Sequence, residues 1–469
     1  GFQNETVLAA YERAKAGGLY EDVLRYSGQQ VRHYALNNQM EYFAEATEAY
    51  FGVNDYFPFN RPELVAYDPA GAAMIEQVWE CETLQPDASL PENLPWNLAD
   101  LSKAPAFKWG DQRDGVRQLT FWTEKFGDVE RAEVFGYYST PGILKGDESL
   151  DRDLPGVVLV HGGGGKAFPE WVKLWAERGY AAIALDYGGC GPDGKRLANG
   201  GPGQGNEHKF DAVDQPASEQ WTYHAVANTI RAHSFLRQQP EVDERRTAIT
   251  GISWGGYLTC ITAGVDNRFA AAVPVYGCGF LQDGSTWDNI FAKMTPEQRE
   301  KWHKLWDPSR YVGAAEMPVL FVNGTNDFAY WIPSYVKTYE LVEQPDRNLC
   351  ITVRMPHGHP QGWAPKEIAL FIEQHLNNGT SLPKFAPIQL TNAKGAVAKL
   401  TSNTPIKKTE FHWTTDNGPS PKRKWHSKPA EYTDGEVFMV NLPEGASGYF
   451  FTATDERDAT VSSEVVLSE

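Results

Sequence analysis

Six short runs in this sequence are apolar or β-branched almost throughout: VVLV (157–160), AAIALD (181–186), TAITGIS (247–253), AAVPVYG (271–277), PVLFVNG (318–324) and ITVRMP (351–356). A strand with one wetted face alternates polar and apolar residues; a run that does not alternate is covered on both faces. Helical stretches stand between the runs, among them PEWVKLWAERG, SEQWTYHAVANTIRAHSFLRQ and SYVKTYELVEQ, and PKEIALFIEQHL (365–376) follows the last. Doubly buried strands alternating with helices specify a mostly parallel sheet with helices on both faces, an α/β architecture.

The rest of the 469 residues exceeds what one ordinary domain needs. Apolar positions at helical spacing in ETVLAAYERA and MEYFAEATEAYFG predict a helical N-terminal module over 1–85. The proline- and asparagine-rich stretch around PENLPWN reads as a linker, 86–115. VRQLTFWTE and AEVFGYYST alternate as a hairpin does and open the α/β domain, 116–385. After 385 the pattern changes to short β segments between turn residues, an immunoglobulin-like β-sandwich over 386–469 without a disulfide. Its Trp413 and Trp425 either contact sugar or fill the sandwich core, and the core reading is preferred.

Lys and Arg number 43 against 61 Asp and Glu, a formal charge of −18. No basic run is available to neutralise phosphates, which argues against a nucleic-acid partner and favours neutral substrates unless the site is locally basic. No apolar run has membrane-spanning length, so no membrane partner is expected. Cys81, Cys190, Cys260, Cys278 and Cys350 lie far apart with no C-x-x-C pair and read as isolated thiols. The chain begins at Gly1 without an initiator methionine; it reads as processed, with a secreted or periplasmic location as the expectation.

Chemistry is concentrated in GISWGG. Ser253 lies between Gly251 and Gly255 after an apolar run and before a helix, the G-x-S-x-G pattern of a nucleophile held on a tight strand-to-helix turn. HGGGG (161–165) follows VVLV, where glycine amides can approach a tetrahedral intermediate. Gly163 and Gly164, with the Trp254 amide, are the expected oxyanion donors. Asp327, after PVLFVNGTN, is the expected acid; Asp307 in LWDPSR is a rival that precedes the strand, and Asn326 offers itself equally as a helix cap. The base should come last, in RMPHGHPQGW. His359, preceded by Gly358 and standing just before the closing helix, is the expected base. His357 is its rival, or else a residue that orients the loop or contacts substrate. The order Ser253, Asp327, His359 is nucleophile, acid, base.

With these motifs in hand, residues from about 115 to 385 resemble the acetyl xylan esterase and dienelactone hydrolase branch of the α/β-hydrolases. LVHGGGG, GISWGG, VPVYGCG, VNGTNDFAYWIPSY and MPHGHPQGW carry the likeness. It implies an α/β-hydrolase fold, an acyl-enzyme on Ser253, no cofactor, and a small-molecule or oligosaccharide ester as substrate. Aromatic residues crowd the expected mouth, namely Trp254, Tyr276, Trp287, Tyr330, Trp331 and Trp363, and flat rings suit sugar stacking. Tyr276, Trp331, Trp363 and His357 are the expected substrate contacts. A serine peptidase or amidase using the same triad, and a glycan-binding protein with an inert hydrolase domain, are the competing readings. Residues 1–80 resemble the back half of a gluzincin-type zinc peptidase, in which the glutamate ligand lies in an E-x-x-x-E helix such as Glu41 to Glu45. No H-E-x-x-H is present, and His33 is the module's one histidine. No metal is therefore expected, and Glu41 and Glu45 read as a solvated or salt-bridged helix face.

Overall fold

A computed structural model describes residues 4–51, 54–79, 90–91, 94–343, 347–391 and 395–467. They divide into two units, one before residue 86 and one spanning 86–467. The larger unit is built on a nine-stranded sheet: β1 Phe107–Arg113, β2 Val116–Trp122, β3 Glu133–Ser139, β4 Leu154–Val160, β5 Ala181–Leu185, β6 Val242–Ile252, β7 Ala271–Val275, β8 Val319–Gly324 and β9 Arg347–Thr352. Their spatial order is β9-β8-β7-β6-β4-β5-β3-β2-β1. Strands β4 to β9 run parallel, and β1 to β3 extend the sheet antiparallel. Helices α1 Pro169–Glu177, α2 Trp221–Arg237, α3 Trp254–Val265 and α4 Lys366–Leu376 connect or follow the strands. Strands β4, β5, β7 and β8 are buried at every position, as their unbroken apolar runs require. This is an α/β-hydrolase fold.

Two expectations differ from the structure. The stretch read as a linker contains a short helix, Leu98–Leu101, and the edge strand β1. Almost every residue of β1, FKWGDQR, is solvent-exposed, so an edge strand with little apolar surface carried no hydrophobic alternation to reveal it. The last parallel strand is Arg347–Thr352, earlier than the run ITVRMP. Leu349, Cys350 and Ile351 supply its buried segment, and the chain has already turned at Arg354, where φ is +57°.

From Lys384 onward two five-stranded antiparallel sheets form the sandwich. Phe411, Val437, Phe450 and Phe451 are fully buried in it, and Trp425 is buried with them. The sandwich belongs to the same unit as the hydrolase sheet and is hydrogen-bonded to it. The Ile351 amide of β9 donates to Ser462 Oγ at 3.0 Å, and the Thr460 amide donates to Glu367 of α4 at 2.6 Å.

The smaller unit contains helices Glu5–Ala16, Gln39–Phe51, Arg61–Tyr67 and Pro69–Val78. Their core includes Val7, Tyr11, Leu36, Tyr42, Leu64 and Ile75. Tyr20 and Tyr42 both donate to the buried Asp68 carboxylate, at 3.0 and 2.6 Å. Of the two readings for Glu45, solvated or salt-bridged, the structure has it beside a histidine. Its Oε2 lies 3.9 Å from Nδ1 of the buried His33, and burial raises its carboxyl to about 7. Glu41 stays nearer the surface, beside the Tyr34 hydroxyl. Among the described residues no helix is long and apolar enough to cross a membrane.

Candidate active site

Ser253 stands between the end of β6 and the first residue of α3, with φ 60° and ψ −119°. A non-glycine residue held there is strained, and such strain survives only where the surroundings fix it. Here they do. The Ser253 amide donates to the Val275 carbonyl at 2.9 Å, and the Ser253 carbonyl accepts from the Tyr257 amide at 2.9 Å. The flanking glycines have no room for a side chain: a Cβ on Gly251 would lie 2.2 Å from the Gly255 carbonyl oxygen, and one on Gly255 would lie 1.9 Å from that of Val160. The turn therefore presses β6, α3 and β4 together and presents the serine at the carboxyl end of the sheet.

Asp327 lies in the loop after β8 and is 2% exposed. Its Oδ1 accepts from the amides of Ala329 at 2.9 Å and Tyr330 at 2.7 Å. Its Oδ2 meets His357 Nδ1 at 2.5 Å. The structure thus pairs Asp327 with His357 and not with His359, the base expected from the sequence. Burial disfavours the charged form of His359, and His357 disfavours it further, so its imidazole is held below the usual histidine range. Its Nε2 accepts the Gly162 amide at 3.0 Å. His359 opens the short helix His359–Trp363 and braces the glycine loop.

Tyr276 is likewise not a substrate contact. It is fully buried, its ring stacks on that of His357 at 4.2 Å, and its hydroxyl donates to the Pro356 carbonyl at 2.7 Å. It backs the imidazole and fixes the loop that carries it. Asp307 is buried away from either histidine ring's hydrogen bonds and accepts the amides of Phe280, Leu281 and Ser309.

The glycine loop divides the expected oxyanion donors. Gly164 donates to Gln204 Oε1 at 3.0 Å, so its amide is already engaged. Gly162 donates to His359 and Gly165 to the Gly162 carbonyl. The Gly163 and Trp254 amides have no hydrogen-bond acceptor among the described residues. They are neighbours: a Cβ on Gly163 would stand 2.9 Å from Cδ1 of the Trp254 ring. Two unengaged N–H groups beside a strained serine can stabilise an oxyanion. Around them Trp363, half-buried, packs on Trp171 at 5.2 Å and Phe168 at 5.4 Å. Trp331, also half-buried, donates to the Phe328 carbonyl at 3.1 Å. Phe328 is 58% exposed and its ring lies 4.8 Å from that of His357.

Residues missed in the sequence brace this site from the C-terminal sandwich. Asn326 does not cap a helix; its Nδ2 donates to the carbonyls of Pro421 at 3.0 Å and Arg423 at 2.8 Å. Its Oδ1 accepts from Thr325 Oγ1 at 2.8 Å, and Thr325 Oγ1 in turn accepts from the Arg354 amide at 3.0 Å. One sandwich loop therefore holds the residue next to Asp327, and through Thr325 the start of the segment leading to His357.

The α/β-hydrolase fold places a strained serine, an Asp–His pair and two unengaged amides at the carboxyl end of its sheet. Residues 167–376 match the model of the prolyl oligopeptidase family. Over 212 residues, 41% of this chain and 28% of the relative, the chain is 26% identical to an uncharacterized peptidase, YuxL, of Bacillus subtilis. Over 243 residues, 46% of this chain and 32% of the relative, it is 25% identical to dipeptidyl aminopeptidase BIII of Pseudoxanthomonas mexicana. The chain thus spans about a third of the length of these curated relatives. Among solved structures, an acetyl xylan esterase from Paenibacillus sp. R4 superposes with a TM-score of 0.48 and 22% identity, covering 60% of this chain and 92% of that one. An acylaminoacyl peptidase from Pyrococcus horikoshii gives 0.42 and 20%, covering 60% and 44%.

Proposed function

We propose that the protein is a serine esterase that deacylates carbohydrate esters. The observation that carries this reading is the aromatic surface beside the two histidines. Exposed Phe328 beside His357, with half-buried Trp331 and Trp363, offers flat faces suited to pyranose rings. Ser253 Oγ attacks the ester carbonyl and its proton passes to His357 Nε2. With Nδ1–H donated to Asp327, Nε2 is the acceptor, and Asp327 stabilises the imidazolium that forms. The oxyanion is received by the Trp254 and Gly163 amides. His357 then protonates the departing sugar hydroxyl, and water, activated by the same imidazole, releases the acid from Ser253.

A serine peptidase is the second reading, supported by the match of residues 167–376 to the prolyl oligopeptidase family and by the two peptidase relatives. The purified protein is expected to release acetate from acetylated xylo-oligosaccharides with a higher kcat/KM than it shows for aminoacyl or dipeptidyl 4-nitroanilides. The reverse order, measured on one preparation, decides for the peptidase.

The brace from the sandwich has its own consequence. Asn326→Leu is expected to lower kcat by about ten- to a hundredfold with little change in KM, the scale set by a small misplacement of a catalytic group. Asn326→Gln, which keeps the amide donors, should recover part of the loss. A sandwich that contributes only stability would lower the Tm and leave kcat unchanged at temperatures where the variant is fully folded.

A further inference from the structure

Lys209 is a buried cation for which the mechanism has no use. It is 5% exposed, and its Nζ lies over two indoles, 4.5 Å from the Trp221 centroid and 4.2 Å from that of Trp254, the residue after the nucleophile. Among the described residues it makes no ion pair. The carboxylate acting on it is that of Glu207, an exposed residue two positions earlier, and burial lowers the ammonium to about 7. The segment carrying it is fixed in place: Trp302 Nε1 donates to the Lys209 carbonyl at 2.9 Å. A desolvated ammonium on two aromatic faces keeps part of its stabilisation through the rings, but a buried charge without a counter-ion is costly.

A second orphan lies on the same loop. Gln204 Oε1 accepts the Gly164 amide, which fixes the orientation of its carboxamide, and its buried Nε2 has no acceptor. Lys209 Nζ lies over the Trp254 indole, the Gly163 backbone stands beside the same ring, and Gln204 is tied to the next glycine of the loop; among the described residues Lys209 Nζ, Gln204 Nε2 and the amides of Gly163 and Trp254 have no hydrogen-bond acceptor. One oxyanion uses two of these. In a chain of formal charge −18, buried donors left without hydrogen-bond acceptors beside the oxyanion amides favour an anion.

We propose that Lys209 and Gln204 form an anion subsite beside the oxyanion donors, and that the substrate is an ester carrying a second, carboxylate group close to its scissile carbonyl. The inference rests on the esterase reading above. The carboxylate comes either from the acid part, as in a dicarboxylic hemiester, or from the alcohol part, as in an esterified acidic sugar. Either source presents the same planar oxygens to an ammonium and an amide N–H.

The test compares three esters on the intact chain: 4-nitrophenyl acetate, which is neutral; mono-4-nitrophenyl succinate, charged on the acyl side; and 4-acetoxybenzoate, charged on the alcohol side. One charged ester is expected to exceed the neutral one in kcat/KM once intrinsic reactivity is divided out. Lys209→Met is expected to reduce that ratio by about tenfold or more, the scale for losing a hydrogen bond to a charged group. The arm that responds identifies the side on which the carboxylate sits. If the variant does not fold, inhibition of the wild type by 4-nitrobenzoate and by neutral 4-nitrobenzamide takes its place, and the anion is expected to bind at least tenfold more tightly. Equal ratios in wild type and variant, or equal inhibition by the two compounds, overturn the subsite and leave the esterase reading standing. Hydrolysis of none of the three esters by the wild type defeats the esterase reading itself.

Discussion

Ser253→Ala is expected to lower ester hydrolysis by about 10⁴- to 10⁶-fold, the range for removing a nucleophile that acts as a unit with its base. Covalent labelling by a fluorophosphonate probe should disappear with it. The argument that this is a chemical and not a folding effect is local. The Ser253 side chain makes no capping bond to α3, and the bonds that fix the turn use its backbone amide and carbonyl. Alanine carries the same Cβ as serine, so the cost of φ 60° is shared by both residues and the Tm should move by only a degree or two. Activity and probe labelling that both survive the substitution would remove Ser253 from the chemistry. A wild-type protein that the probe never labels would favour an inert domain that only binds glycan.

What the sequence disclosed follows the reach of each signal. The parallel strands were legible because burial on both faces removes polar alternation, and Ser253 was legible because the crowding at Gly251 and Gly255 leaves its mark in adjacent positions. Asp327 was legible from its place just after a buried strand. Strand β1 left no signal because its side chains face water. The choice between the two histidines depended on where β9 ends. With the strand closing at Thr352, the intervening turn returns His357 to Asp327, and His359 is carried into the next helix and onto the glycine loop. A preceding glycine says nothing about that distance. Gly164 was misjudged for a similar reason, since its acceptor, Gln204, lies 40 positions away. The coupling of the sandwich to Asp327 is a tertiary contact between segments 95 residues apart, beyond any local pattern.

The pair His357→Gln and His359→Gln is expected to separate base from brace. Without an imidazole at 357 no acceptor is held by Asp327 to take the serine proton, and activity should fall by about 10⁴-fold or more, with probe labelling lost in parallel. Asp327→Asn should approach the same loss, because an amide at 327 favours the wrong imidazole tautomer. At 359 the requirement is an acceptor for the Gly162 amide, which the neutral imidazole now supplies. Glutamine brings a carbonyl oxygen to the same region, so His359→Gln should stay within about tenfold of the wild type, the effect of one imperfectly replaced hydrogen bond. His359→Leu brings none, and the orphaned amide should cost about 1–3 kcal/mol of stability, read as a lowered Tm. It should also cost more activity than the glutamine variant, since the loop it releases carries the Gly163 amide. The opposite pattern, a tolerant 357 and an intolerant 359 that glutamine does not rescue, would return the base to His359. It would also require the Asp327–His357 bond to break during turnover, because a single carboxylate oxygen at 2.5 Å from one imidazole cannot orient another.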